Sequence, residues 1–96
     1  QGSLSDVQNR IMYPEQARLH GVTGAVVVDF TVATDGSVVD PRVVRSPDWE
    51  DAPVAAVAAL KNEALRVART LSFTPAMKDG VPIEIGMSLP LQFDID

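Results

Sequence analysis

The sequence predicts an α+β fold of two helices and three strands, in strand order 2-1-3, with the last strand (about residues 81–93) at an edge. Three observations carry this. Residues 81–93, VPIEIGMSLPLQF, put a large apolar side chain at every odd position: Val81, Ile83, Ile85, Met87, Leu89, Leu91 and Phe93. The even positions hold Pro82, Glu84, Gly86, Ser88, Pro90 and Gln92. A period of two describes a strand with one buried and one open face. The second observation is proline placement. Proline cannot donate to a ladder, so strands that carry it belong at edges. Residues 25–33 have none, while 38–46 and 81–93 do, which places 25–33 in the centre with the other two beside it. The third is a one-sided apolar stripe over residues 54–71, at helical spacing.

The bulk properties fit one domain. The chain has 96 residues, 46% hydrophobic and 22% charged, as expected of a chain that folds. A net charge of −5 argues against nucleic acid and against direct contact with an anionic membrane surface. Cysteine is absent, which excludes disulfides and thiolate metal sites. No apolar run approaches the ~18 residues of a transmembrane helix. Gln1, Gly2 and Ser3 resemble the remnant of a cleavable tag, so residues 1–11 read as a lead-in and 12–96 as the domain of an excised piece.

In chain order, residues 13–21 (YPEQARLHG) read as a short helix. Pro14 suits its first turn, Glu15 the positive end of its dipole and Gly21 the position after its end. Ala17, with Tyr13 or Leu19, is its expected packed face. After Gly24, the run AVVVDFTVAT alternates Val26, Val28, Phe30 and Val32 against Ala25, Val27, Asp29 and Thr31. Thr34, Asp35, Gly36 and Ser37 signal a hairpin turn. The returning strand, 38–46, contains Pro41, which demands an edge or a bulge and accounts for the broken alternation at Val43 and Val44. Asp51 is the candidate cap of the second helix, with Pro53 in its first turn. Val57, Leu60, Ala64, Val67, Ala68 and Leu71 form the packed stripe of that helix, and Lys61, Asn62, Glu63, Arg66 and Arg69 its wet side. Pro75 prevents its continuation, and Asp79 with Gly80 turns the chain into the last strand.

No constellation for catalysis stands out, so no enzyme and no cofactor are expected. His20, the single histidine, reads as a surface or C-capping residue. Asp48, Glu50 and Asp51 lack the spacing and glycine of a calcium loop. Trp49 reads as a lid on the second helix. Tyr13 and Pro14 suit either an interface anchor or a core clasp. The strongest functional hint is the 81–93 edge: between its prolines, Glu84, Gly86 and Ser88 offer a row of backbone donors and acceptors for an added strand.

The order of these signals resembles the TonB C-terminal domain family. The resemblance rests on Tyr13-Pro14-x-x-Ala17, then Gly24-x-Val26-x-Val28-x-Phe30-x-Val32, then Asp35-Gly36 and Val43-Val44-x-Ser46. It continues through Ala64-Leu65, Phe73-x-Pro75-Ala76, Asp79-Gly80-Val81-Pro82 and Leu89-Pro90-Leu91-x-Phe93. Together these motifs span about residues 12–94. The resemblance implies two helices packed on one face of a three-stranded antiparallel sheet. It also implies a periplasmic domain of an inner-membrane-anchored energy transducer, coupled to a proton-driven motor complex through an N-terminal part. The partner it implies is an outer-membrane receptor, whose TonB-box segment adds as a strand against the last strand. Carried over by residue, Tyr13 and Pro14 lie near the receptor, and the receiving segment is Glu84, Ile85, Gly86, Met87 and Ser88. Two other expectations stand beside this. One is a sensory or regulatory appendage of a membrane-bound envelope protein such as a metallopeptidase; the other is a homodimer through the same edge.

Overall fold

The structure is a computed structural model and describes residues 10–94. Its centre is β1 (Gly24–Val32), in which Val26, Val28, Phe30 and Val32 are buried and the odd-numbered residues are half-buried. β1 accepts partners along both flanks because no proline interrupts either one. β2 (Val38–Arg45) and β5 (Ile85–Phe93) pair with it, both antiparallel, giving the order β2-β1-β5. The β1–β5 register is unbroken from Gly24 opposite Phe93 to Val32 opposite Ile85.

β2 is less regular, as Pro41 requires. Val39 faces Thr31 and Arg42 faces Asp29, so Asp40 and Pro41 together stand against Phe30. This is a β-bulge, and Asp40 takes the left-handed conformation with φ 53°. Val44 is a second extra residue, between Val43 opposite Val28 and Arg45 opposite Val27.

The β1–β2 turn is built locally and then docked. The Asp35 carboxylate accepts from the Ser37 amide at 3.0 Å and from its hydroxyl at 2.6 Å. Those two bonds hold the Asp35 carboxyl below its usual range. Gly36 has φ +89°, and its carbonyl accepts from the Phe73 amide at 2.9 Å. Phe73 also stacks on Phe30, with centroids 5.6 Å apart. The turn is thereby tied to the segment that follows the long helix.

α1 (Glu15–Leu19) ends in a Schellman motif, with Gly21 N–H donating to Arg18 O and Val22 N–H to Ala17 O. The motif brings Val22 and Ala17 into the core together. Leu19 is exposed, so Tyr13 is the residue that joins Ala17 on the packed side. α2 (Val54–Thr70) buries Ala56, Leu60, Glu63, Ala64, Val67 and Ala68 and lies across β1 and β2, its alanines permitting close approach. α1 packs chiefly on α2. The residue at the N-cap of α2 is Pro53, with no side-chain cap, so Asp51 does not fill that role. Val57 is only half-buried and Ala56 takes the inner position, a small rotation of the predicted stripe. Trp49 closes one end as a lid, its indole N–H donating to Thr23 O at 2.9 Å.

The last third of the chain corrects two expectations. Residues 81–93 are not one strand. β4 (Val81–Ile83) pairs with β3 (Ala76–Lys78) in a separate hairpin closed by Asp79 and Gly80, both left-handed at φ 53° and 79°. Glu84 interrupts the run because β1 ends at Val32, opposite Ile85, and offers nothing to pair with earlier residues. Nor are all the odd side chains buried. Leu91 and Phe93 are, Met87 and Leu89 are half-covered, and Val81 and Ile85 are exposed. The reason is lateral: α2 covers β1 and β2, leaving the outermost strand roofed only near its C-terminal end, where Tyr13 sits edge-on to Phe93.

Candidate functional site

The candidate site is the outer flank of β5, and its polarity follows from one hydrogen bond. Ala33 N–H donates to Ser37 O across the hairpin at 2.9 Å, so the odd-numbered backbone groups of β1 point toward β2. Alternation along a strand then sends its even-numbered groups to β5, where they meet odd-numbered partners. The even-numbered groups of β5 face outward. They belong to Gly86, Ser88, Pro90 and Gln92, and Pro90 supplies only a carbonyl. Among the described residues, no strand covers this flank. Pro82 does not border it, because it lies in β4 opposite Met77.

The predicted site residues separate into two groups. Ile85, Gly86, Met87 and Ser88 lie on β5, as expected, while Glu84 lies in the break before it and is not part of the ladder. Gly86 and Ser88 provide outward backbone groups; Ile85 and Met87 provide side chains on the helix side. Tyr13 and Pro14 lie elsewhere. The Tyr13 ring meets Phe93 at 5.9 Å and 83°, whereas Met87 is six residues up the strand, roughly 20 Å away. The Tyr13 hydroxyl donates to Val22 O. Burial, and then the nearby charge of Asp94, push its phenol up, which keeps the proton in place for that bond. In this structure Tyr13 is a core clasp, and Pro14 is the N-cap of α1.

A second cluster was missed by the sequence reading. Glu63, assigned to the wet side of its helix, is buried at 9% exposure. One carboxylate oxygen accepts from Met12 N–H at 2.6 Å, and Arg66 reaches both oxygens at 2.8 and 2.7 Å. Arg66 also donates to Arg10 O at 2.9 Å, and Arg10 donates to Thr70 O at 3.1 Å. Residues 10–13 are thus strapped along α2. The available signal was the Glu63–Arg66 spacing of three, which faces both side chains along one helix surface.

Burial raises the Glu63 carboxyl, but the Arg66 and Met12 hydrogen bonds and the Arg66 charge outweigh it and hold the group below its ordinary range. A carboxyl lowered on folding stabilises the fold above its unfolded value and loses that contribution as pH falls through the folded value. Glu63→Gln is therefore expected to be less stable than the parent at pH 7, with the gap closing below about pH 4. Urea midpoints of both proteins from pH 7 to pH 3 check this. A gap that stays constant across the range would show that the charge of Glu63 contributes nothing.

With this geometry in hand, comparison with known proteins identifies the family. The model for the Gram-negative bacterial TonB protein C-terminal family matches residues 9–95. The chain belongs to the TonB C-terminal family. Protein TonB of Helicobacter pylori strain J99 is 38% identical over 58 residues, covering 60% of this chain and 21% of that protein. Protein TonB of Vibrio cholerae El Tor Inaba N16961 is 26% identical over 94 residues, covering 98% of this chain and 35% of that protein. The chain therefore spans only about a fifth to a third of these relatives. Among solved structures, the solution structure of H. pylori TonB-CTD (residues 179–285) superposes with a TM-score of 0.65 at 28% identity. It covers 96% of this chain and 76% of that one. This TonB C-terminal domain thus has the α+β architecture and sheet order anticipated from its prolines. No helix among its described residues is long and apolar enough to cross a membrane.

Proposed function

We propose that this TonB C-terminal domain is a periplasmic coupling module that binds the TonB box of an outer-membrane receptor by adding it as a strand to the outer flank of β5. In this reading it is the C-terminal part of an inner-membrane-anchored transducer, driven through its N-terminal part by a proton-powered motor complex. The observation that supports it is the flank itself: outward backbone groups at Gly86 and Ser88, beside the exposed Ile85 and the half-covered Met87 and Leu89. A visiting strand would pair with the first and lay alternate apolar side chains against the second. Gly86, Ser88 and the Pro90 carbonyl define a segment of about five residues, since Pro90 lacks the donor to extend it. The relatives named above are called TonB and neither is called a peptidase, which favours the transducer over a sensory appendage.

Titration of a TonB-box peptide, followed by backbone amide shifts, tests this. Shifts are expected to concentrate in residues 85–89. Ser88→Pro, which removes an outward donor while sparing the β1 ladder, is expected to weaken binding at least tenfold, or by about 1.4 kcal/mol. Absence of shifts on β5 at millimolar peptide, across a panel of boxes, would sink the proposal. A homodimer through the same edge would compete with peptide, and sedimentation across concentration would reveal it.

A further inference from the structure

The face of the sheet opposite α2 carries a row of polar side chains that ends at the free edge. By register, Arg42 of β2 stands opposite Asp29 of β1, and Asp29 opposite Ser88 of β5. All three lie on the open face, since Asp29 alternates with the buried Val28 and Phe30. The Ser88 hydroxyl donates to the Asp29 carboxylate. A serine hydroxyl has one hydrogen, and an ionised carboxylate only accepts, so the direction of this bond is fixed. With its proton committed inward, Ser88 presents only lone pairs to the outside of the sheet.

From this we infer that Ser88 and Asp29 together select a hydrogen-bond donor on the incoming strand, at the position facing Ser88. The inference rests on the strand-addition reading and specifies its ligand. Cross-strand neighbours share a face, with Cβ atoms about 4.5–5.5 Å apart, so the side chain at that position lies beside the Ser88 hydroxyl. A hydroxyl, amide or ammonium group there completes the row Arg42, Asp29, Ser88, visitor. A carboxylate meets an oxygen with no proton to give and the negative charge of Asp29 behind it. Space is available for a longer side chain. Gly86 has no side chain and nothing lies within 4 Å of where one would project. The adjoining cleft, about 260 Å³, is lined by Asp29, Thr31, Asp40, Arg42, Gly86 and Ser88, among others. Arg42 is the cation of this cleft, and by register it stands on the far side of Asp29 from the edge, so the Asp29 carboxylate lies between it and the visitor.

The test uses one TonB-box host peptide, its register on β5 fixed by cross-strand nuclear Overhauser contacts, varied only at the position facing Ser88. Thr and Val are near-isosteric and differ by a hydroxyl in place of a methyl, while Gln and Glu differ by charge and donor. On the parent domain, Thr is expected to bind about three- to tenfold more tightly than Val, and Gln at least tenfold more tightly than Glu. On Ser88→Ala the Thr preference is expected to vanish. On Asp29→Asn, which removes the charge and, by adding an amide donor, no longer fixes the direction of the serine bond, the penalty against Glu is expected to shrink. Equal affinities of Gln and Glu peptides, with normal shifts along residues 85–89, would overturn the selection and leave strand addition standing. Absence of those shifts for every peptide would overturn strand addition, and the selection with it.

Discussion

Replacing Gly36 by alanine is expected to destabilise the domain by about 2–5 kcal/mol, enough to lower the melting temperature by at least about 8 °C. Two penalties combine. The residue sits at φ +89°, where an L side chain costs about 1–2 kcal/mol. An added Cβ would also lie 2.0 Å from the Phe73 carbonyl oxygen, a backbone atom that cannot swing aside. Relief requires the turn and the residues after α2 to separate. That would break the Phe73 amide bond to Gly36 O and loosen the stacking of Phe73 on Phe30. Overpacking of this kind costs a further 1–3 kcal/mol, on the order of a large core mutation. Thermal and urea unfolding measure the loss. Gly80→Ala is the comparison: it shares a positive φ of 79° but has nothing within 4 Å of the new methyl, so it should lose only about 1–2 kcal/mol. Equal losses at the two sites would show that the contact with Phe73 does not matter.

The other large effect is expected at Phe93. Its side chain is fully buried at the end of β5, opposite Gly24, and takes the edge contact of the Tyr13 ring. Truncation to alanine removes one of the two buried phenylalanines of the core, and a fixed backbone ladder on one side limits collapse of the cavity. The expected cost is about 3–5 kcal/mol, part of it the 0.5–1.5 kcal/mol of the aromatic pair. Tyr13→Phe keeps the ring and loses only the hydroxyl bond to Val22 O, so it should cost about 1 kcal/mol. Urea midpoints of the two variants separate ring from hydroxyl. If Phe93→Ala lost less than Tyr13→Phe, the anchoring role given to this end of the strand would be wrong.

How much of this was legible beforehand depends on what each residue type can report. The prolines carried the order β2-β1-β5 and the open edge, because a missing donor excludes one position in a ladder; Pro41 and Pro90 lie where that argument put them, but Pro82 lies in β4 and does not border the edge. The alternation in 81–93 was real but over-read. Period reports which face a residue takes, not whether a partner or a roof exists there, so the break at Glu84 and the exposure of Ile85 had no signal. The Asp79 and Gly80 turn was visible, yet its incoming arm, residues 76–78, is too short to show a pattern. Glu63 was misplaced because charge suggested water, and only the fold reveals that Met12 and Arg66 converge on it. Of the candidate site, the edge position of the last strand was legible. The link between Asp29 and Ser88 was not, since it joins residues far apart in sequence through register alone.

The central position of β1 also bears on how the chain folds. Its partner on one side follows immediately through a tight turn, while its partner on the other is the last strand of the described chain. The hairpin can form within microseconds as soon as both its arms exist, whereas the second pairing must wait for the helix and everything after it. During synthesis, the vacant side of β1 is therefore exposed from the time it leaves the ribosome until residue 93 follows. In that interval the unpaired flank of β1 offers backbone groups to any passing strand, the general hazard of a sheet that closes late.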